Sequence, residues 1–419
     1  MHLETLDLLR CPYCGGRLTL VESLFHERAG DAIRDGILGC HCCIFPVVDG
    51  IPVLHLQPAA TAARDQMQAG RPDLARRTMF GLDDDAQAEA FESVASSDAA
   101  TYRDTVDALG PNFEGGYFLY RFSDPTFVVA EAVVRAVART VLGGGRRAVD
   151  ICGGSGHLTR SLLDGSSPPP VLADLYFAKV WLARRFTAPG CEPICCDGNA
   201  PMPFARGAFG FAMCTDAFMY IWTKRQFVGE MARLIDRPDA EPGAVLIGHT
   251  HNERTWSPSH GQPLTPEGYA DLFETLEPRI FAEAGLFGDV IERGTLDLSR
   301  RDSRETLNGD PALTIVATRH PGVFARHAVD ALGTRRAATG EYRLNPLYAA
   351  APEGGRVRLR LRFPGDDYEQ EYGACRRYLP DEVTVDRAAL DALPATTVPE
   401  PLADLARRRV VLDLPTRYY

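Results

Sequence analysis

Between residues 145 and 320 the chain repeats one pattern: a short apolar run, an acidic stop, then an amphipathic stretch. Ala148-Val149-Asp150-Ile151 runs into the glycine-rich turn Cys152-Gly153-Gly154-Ser155-Gly156-His157. Val171-Leu172-Ala173 closes on Asp174, 24 residues after Asp150, and Cys195-Cys196 closes on Asp197, 23 residues further on. A strand with its crossover helix needs about this length, so the acids are predicted at the carboxyl ends of successive parallel strands. Open α/β sheets bind their ligands there. Phe211-Ala212-Met213-Cys214-Thr215-Asp216-Ala217-Phe218 reads as a fourth strand and Ala244-Val245-Leu246-Ile247-Gly248 as a fifth, with an amphipathic helix from Lys224 to Ile235 between them.

The flanks read differently. Residues 57–80 look like a linker and a loose helix, punctuated by Pro58, Gly70 and Pro72. Ala86 to Leu109 is predicted helical. Ser123-Asp124-Pro125 is a helix start, and Phe127 to Leu142 is apolar on most faces, as a helix buried against the sheet would be. Near the end, Arg356 to Phe363 alternates with period two, a strand with one arginine-lined face. Asp404 to Arg409 should be helical and Val410 to Leu414 a last strand. The predicted organisation is 1–56, a cysteine module; 57–144, linker and helical cap; 145–320, the α/β core; 321–419, a small α+β unit.

Asp150-Ile151-Cys152-Gly153-Gly154-Ser155-Gly156 resembles the D-x-G-x-G-x-G motif of the class I S-adenosylmethionine-dependent methyltransferases, with Cys152 at the first glycine. The ubiquinone/menaquinone type of that family tolerates cysteine there. The resemblance covers about 145–320 and implies a seven-stranded, Rossmann-like core binding S-adenosylmethionine. The implied cofactor residues are Asp150, Cys152, Gly153, Gly154, Gly156, Asp174, Leu175, Asp197, Gly198, Asn199 and Thr215. Asp174 is placed to take two ribose hydroxyls, Asp197 to accept from an adenine amino group, and a helix is expected to start at the glycine turn. A nicotinamide-binding fingerprint, G-x-G-x-x-G, lacks its third glycine here, because His157-Leu158-Thr159 follows Gly156.

Cys11-Pro12-Tyr13-Cys14 and Cys40-His41-Cys42-Cys43 are two clusters about a β-hairpin apart, the spacing of a structural zinc site. In a module this small a metal would substitute for a core too small to hold the fold. The flank Phe45-Pro46-Val47-Val48-Asp49-Gly50-Ile51-Pro52 resembles the small zinc ribbons that activate tRNA methyltransferases. That resemblance favours Cys42 as fourth ligand, whereas ordinary knuckle spacing favours Cys43.

Charge narrows the partners. The chain of 419 residues carries 45 Lys and Arg against 56 Asp and Glu, net −11, and most of the excess acid lies in 57–320. Nucleic-acid binders need a basic surface to displace counterions, so RNA or DNA is not the expected substrate. No apolar run is long enough for a membrane span, and no signal peptide opens the chain. With 11 cysteines, a reducing cytoplasm is the expected compartment.

The acceptor side is thinly marked. His249-Thr250-His251 follows the fifth strand, and a histidine suits proton removal near neutral pH. His249 and His251 are therefore the candidate catalytic residues. Tyr117, Tyr120 and Arg121 precede the core where this family often covers its substrate, and Phe218 and Trp256 flank the cleft. The expected reaction is methyl transfer to oxygen or nitrogen of a small or medium-sized acceptor. The alternative is a cofactor-binding scaffold that docks or activates a partner enzyme through its ribbon.

Overall fold

The computed structural model describes residues 1–110, 117–163, 168–238, 240–256, 261–329 and 340–419. Its centre is a seven-stranded sheet: β1 (Ala148–Ile151), β2 (Val171–Asp174), β3 (Glu192–Cys195), β4 (Phe211–Thr215), β5 (Ala244–His251), β6 (Pro278–Ala282) and β7 (Ala312–Thr318). The spatial order is β6-β7-β5-β4-β1-β2-β3. Strands β1 to β5 are parallel, and β7 runs antiparallel between β5 and β6. Strand order reverses between β1 and β4, which opens a crevice at their carboxyl ends.

Both faces of the sheet are covered. Helix α1 (Pro125–Val141) is started by Asp124, whose carboxylate accepts the Phe127 N–H, and buries an almost all-apolar surface. Helix α2 (Phe177–Leu182) follows β2, and α3 (Lys224–Ile235) covers the opposite face with Phe227, Val228, Met231 and Leu234. Helix α4 (Glu283–Gly288) follows β6 directly. The helix expected after the glycine turn is reduced to a single 3-10 turn, Thr159–Leu162. Pro168-Pro169-Pro170 cannot continue a helix, and they bring the chain straight into β2.

Residues 57–80 are not a linker. They form two helices, Pro58–Gln68 and Pro72–Phe80, whose Ala60, Ala63, Met67 and Ala75 are buried in the main core. Small apolar residues at helical spacing make that packing, and their low bulk hides it in the sequence. Ala86 to Leu109 is split into Asp85–Ala95 and Tyr102–Leu109, the second restarted by a Thr101–Asp104 capping box.

The cysteine module is fused to the core. Its Leu9, Phe45, Val47 and Leu54 share one hydrophobic cluster with the α3 face of the sheet. Val53 pairs in parallel with Cys195 of β3, and the Leu54 N–H donates to the Cys195 carbonyl at 2.7 Å. Leu9 bridges Phe204.

The carboxyl-terminal unit has its own core around Leu359, Cys375, Leu379 and Val411. Tyr348–Glu353, Arg356–Leu361 and Glu382–Asp386 form an antiparallel sheet, and Gly340–Leu344 pairs with Val411–Pro415. The arginines of its middle strand are matched within that sheet, Arg358 by Glu353 and Glu382, and Arg360 by Glu382. Arg160 clamps this unit to the segment after the glycine turn through Asp413, and Tyr418 lies 2.6 Å from Nε2 of His157. Among the described residues no helix is long and apolar enough to cross a membrane.

Candidate active site

A cleft of about 1370 Å³ opens along the carboxyl ends of β1, β2, β4 and β5. That exceeds the roughly 300–1,000 Å³ of a pocket for one small ligand. One half lies on the glycine turn. A side chain at Gly153 would run into Leu172 and Asp150, at 2.4 and 2.6 Å from its Cβ. Gly154, at φ +56°, has open space in front of it and lines the cleft. Gly156 serves packing: a Cβ there would sit 2.8 Å from that of Ala183, and it does not line the cleft.

Asp174 ties this half together. Its carboxylate accepts the N–H groups of Gly154 and Tyr176, both at 2.9 Å, with lone pairs left over for a ligand. Burial pushes its pKa up, against those hydrogen bonds and Lys179. Asp150 lies deeper, accepts from the Thr159 hydroxyl at 2.6 Å, and is pushed up to about 7 by burial. Asp197 accepts the Asn199 N–H at 2.8 Å and faces Gln57, while the Asn199 side chain holds the Trp222 N–H at 2.7 Å. Cys152, Leu175, Gly198 and Thr215 complete the wall, and the buried Thr215 hydroxyl has no hydrogen-bond partner among the described residues.

The other half is built on backbone strain. Asp216, which follows β4, and His249, inside β5, have φ of 58° and 46°; Cys152 after β1, on the glycine-turn side, has φ of 60°. Non-glycine residues in this region are uncommon and concentrate at functional sites. The register of β5 against β7 shifts between Ile247 and Thr250, and this bulge turns His249 into the cleft. Its Nδ1–H donates to Glu283 at 2.7 Å, its backbone N–H to the same carboxylate at 2.9 Å, and Thr314 adds a third bond at 2.8 Å. Burial alone would lower the His249 pKa, but the Glu283 charge overcomes it and raises it to about 9. His251 moves the other way, lowered by burial and by His249. Arg121 is matched by two carboxylates, Asp124 at 3.1 Å and Asp216 at 3.0 Å.

The sequence-predicted residues divide. The structure brings Tyr120, Arg121, His249 and His251 to the cleft, with Trp256 at its rim, 80% exposed. Phe218 is fully buried against Phe227 and Tyr269, so its ring is core and not pocket; Tyr220 and Ile221 take that wall. The side chain of Tyr117 lies outside the described residues. Sequence reasoning missed Asp216, although it closes the fourth apolar run as the other three acids close theirs. It missed Glu283, a lone acid inside Phe281-Ala282-Glu283-Ala284-Gly285-Leu286. It also missed Tyr368 and Tyr372 of α5 (Asp366–Tyr372), which reach the cleft from the carboxyl-terminal unit with no signal in the sequence.

In the cysteine module the sulfurs of Cys11, Cys14, Cys40 and Cys42 all lie within 4.8 Å of one another. Contacts of 3.6 Å join Cys11 to Cys42, Cys14 to Cys40 and Cys40 to Cys42. A tetrahedron with Zn–S bonds of about 2.3 Å has edges of about 3.8 Å, so this set fits zinc. Cys43 is outside the set; its N–H donates to the Cys40 sulfur at 3.3 Å.

No protein-family model matches the sequence, and no curated protein does. Among the solved structures similar to part of this chain are S-adenosylmethionine-dependent methyltransferases of Thermotoga maritima and Corynebacterium glutamicum. A further one is a chain of the Haloferax volcanii complex between the Trm112 methyltransferase activator and a methyltransferase, with 17% identity, 45% of this chain and 88% of that chain covered, and a TM-score of 0.34. Another is geranyl diphosphate C-methyltransferase of Streptomyces coelicolor A3(2), solved with S-adenosylhomocysteine, with 14% identity, coverage of 44% and 74%, and a TM-score of 0.32. The 4+2 cyclase SpnF is similar to the same degree, with 16% identity, coverage of 46% and 80%, and a TM-score of 0.33.

Proposed function

We propose that this chain is an S-adenosylmethionine-dependent methyltransferase acting on oxygen or nitrogen of a small or medium-sized acceptor. The observation that carries the reading is Asp174, a buried carboxylate held in the cleft wall by Gly154 and Tyr176 beside the open face of Gly154. The unpartnered Thr215 hydroxyl and the spare lone pairs of Asp174 fit a ligand rich in hydroxyl and amino groups. Asp174 and the glycine turn would hold the ribose and amino-acid parts, with Asp197 and Leu175 about the base. Bound there, the cofactor would supply a methyl group on a sulfonium sulfur that leaves as a neutral thioether.

The protein's own share is positional. The cleft lets two ligands meet with their reacting atoms in line, which can account for several kcal/mol of a barrier, about 7 at the low end. His249 and His251 stand across the cleft from Asp174 as the groups able to take a proton from an acceptor. Calorimetry with S-adenosylhomocysteine and S-adenosylmethionine tests the reading. Both should bind, and NADH should not; binding of NADH alone would overturn it.

The ribbon is proposed to hold one structural zinc on Cys11, Cys14, Cys40 and Cys42. Its bridge to β3 and its shared hydrophobic cluster support a role inside this enzyme over the scaffold reading.

A further inference from the structure

Three features of the acceptor half belong to one problem. The first is the His249–Glu283 pair. Glu283 holds Nδ1–H and the backbone N–H of His249, and Thr314 holds Glu283, so the ring has one orientation and, in its neutral form, one tautomer. Nε2 is left for the cleft. The second is aromatic. Tyr120, Tyr368 and Tyr372 line the cleft, with ring centroids 5.6 Å apart for the first pair and 4.8 Å for the second. Tyr368 and Tyr372 are nearly buried, and the Tyr368 hydroxyl donates to the Tyr120 carbonyl at 3.5 Å. The third is charge. Arg121 is matched by Asp124 and Asp216, so this guanidinium is already balanced without an anionic acceptor.

Resting on the methyltransferase reading, we infer that the acceptor is a neutral aromatic hydroxyl, its ring against the tyrosines of α5 and its oxygen at Nε2 of His249. Glu283 is a positioning residue in this arrangement and His249 the base. The hydroxyl proton passes to Nε2, the oxygen electron pair forms the new bond to the methyl carbon, and the pair of the broken C–S bond stays with sulfur. The imidazolium formed is stabilised by the buried Glu283 carboxylate, the orienting logic of a Ser-His-Asp triad applied to a bound hydroxyl. That cation would repel an ammonium acceptor at the same point. The charged and titratable groups facing His249 are Glu283 from α4, Asp216 after β4, Arg121 before α1 and His251 on its own strand; Asp367 and Glu371 of α5 line the same cleft at its rim. The two rim carboxylates would draw cations, which makes an amine the rival the test must separate.

The test uses the full chain saturated with S-adenosylhomocysteine, and a panel of one- and two-ring phenols, each paired with the benzylic amine of the same ring, which is an ammonium at neutral pH. Calorimetry reads affinity, and ultraviolet difference spectra read ionisation of the bound phenol. Phenols should bind at least ten-fold more tightly than their amines and show the phenolate band. Glu283→Gln should abolish the band, and Tyr372→Ala should weaken phenol binding about ten-fold with S-adenosylhomocysteine affinity unchanged. Because that affinity is measured on every variant, it also reports whether the fold survives, and His249→Gln gives a second route should Glu283→Gln not fold. Amines preferred, phenols bound without ionisation, or no phenol bound at all would each overturn the inference. Failure of S-adenosylhomocysteine to bind the wild type would instead overturn the methyltransferase reading beneath it.

Discussion

The two halves of the cleft are made in different ways. The proposed cofactor half comes mainly from β1, β2, β3 and the turns that follow them, a span of about 50 residues in which each strand has one acid at or near its end. The proposed acceptor half is gathered from Arg121, Asp216, His249, Glu283 and Tyr372, which lie far apart in the chain. The first half repeats a local rule and needs only the α/β topology. Left-handed backbone occurs in both, but the second also depends on a bulge and a separate terminal unit. Under the proposed function, a ligand used by many proteins would be held by the fold itself, and the acceptor by what is added to the fold.

The sharpest way to break this contrast is His249→Ala. Turnover should fall by about 10²–10⁴ while S-adenosylhomocysteine affinity stays within a few fold, as steady-state kinetics and calorimetry would read. If both fall together, the halves are not independent. The pH profile sharpens the same point. With His249 raised to about 9, its basic form grows as pH rises, so the rising limb of turnover should lie near pH 9 and not in the pH 6–7 range of a free imidazole.

The same pair carries stability. The folded pKa of His249 is above the unfolded value of about 6.5, so its contribution is complete below pH 6.5 and is lost as pH rises to about 9. Urea unfolding should show a loss of up to about 3 kcal/mol between those limits. His249→Gln should flatten that slope. A slope unchanged in the variant would assign the effect to other groups.

On the cofactor side, Asp174→Ala should weaken S-adenosylhomocysteine by about 1–3 kcal/mol, with acceptor preference unaltered. The two glycines give the finest test. Gly154→Ala should cost about 1–2 kcal/mol in left-handed strain and also lose cofactor affinity, since the methyl group projects into the cleft. Gly156→Ala should cost more stability, because its Cβ meets Ala183, with a smaller direct effect on binding. Thermal melts with and without ligand separate the two.

Much of this contrast was already visible in the residue pattern. Asp150, Asp174 and Asp197 could be placed because period and spacing encode a β-α unit locally. The fourth cysteine could not be fixed, since C-x-C and C-x2-C differ by one residue and only the fold of the hairpin separates them. Phe218 was misplaced because an aromatic after a strand end looks the same whether the next turn points it inward or outward. Glu283 and Tyr372 were invisible for a stronger reason. Their roles exist only once β5 has bulged and the terminal unit has closed on the core, and neither event leaves a periodic mark.

The join between Val53-Leu54 and β3 has a consequence for supply of metal. An open β edge invites pairing with another chain, and here the ribbon caps that edge. A ribbon whose hairpin depends on zinc would release the cap when the metal is removed. Chelation should then drive self-association through β3, measurable by light scattering, before any loss of the central strands. Zinc would thus act as a solubility factor, guarding the protein against its own copies.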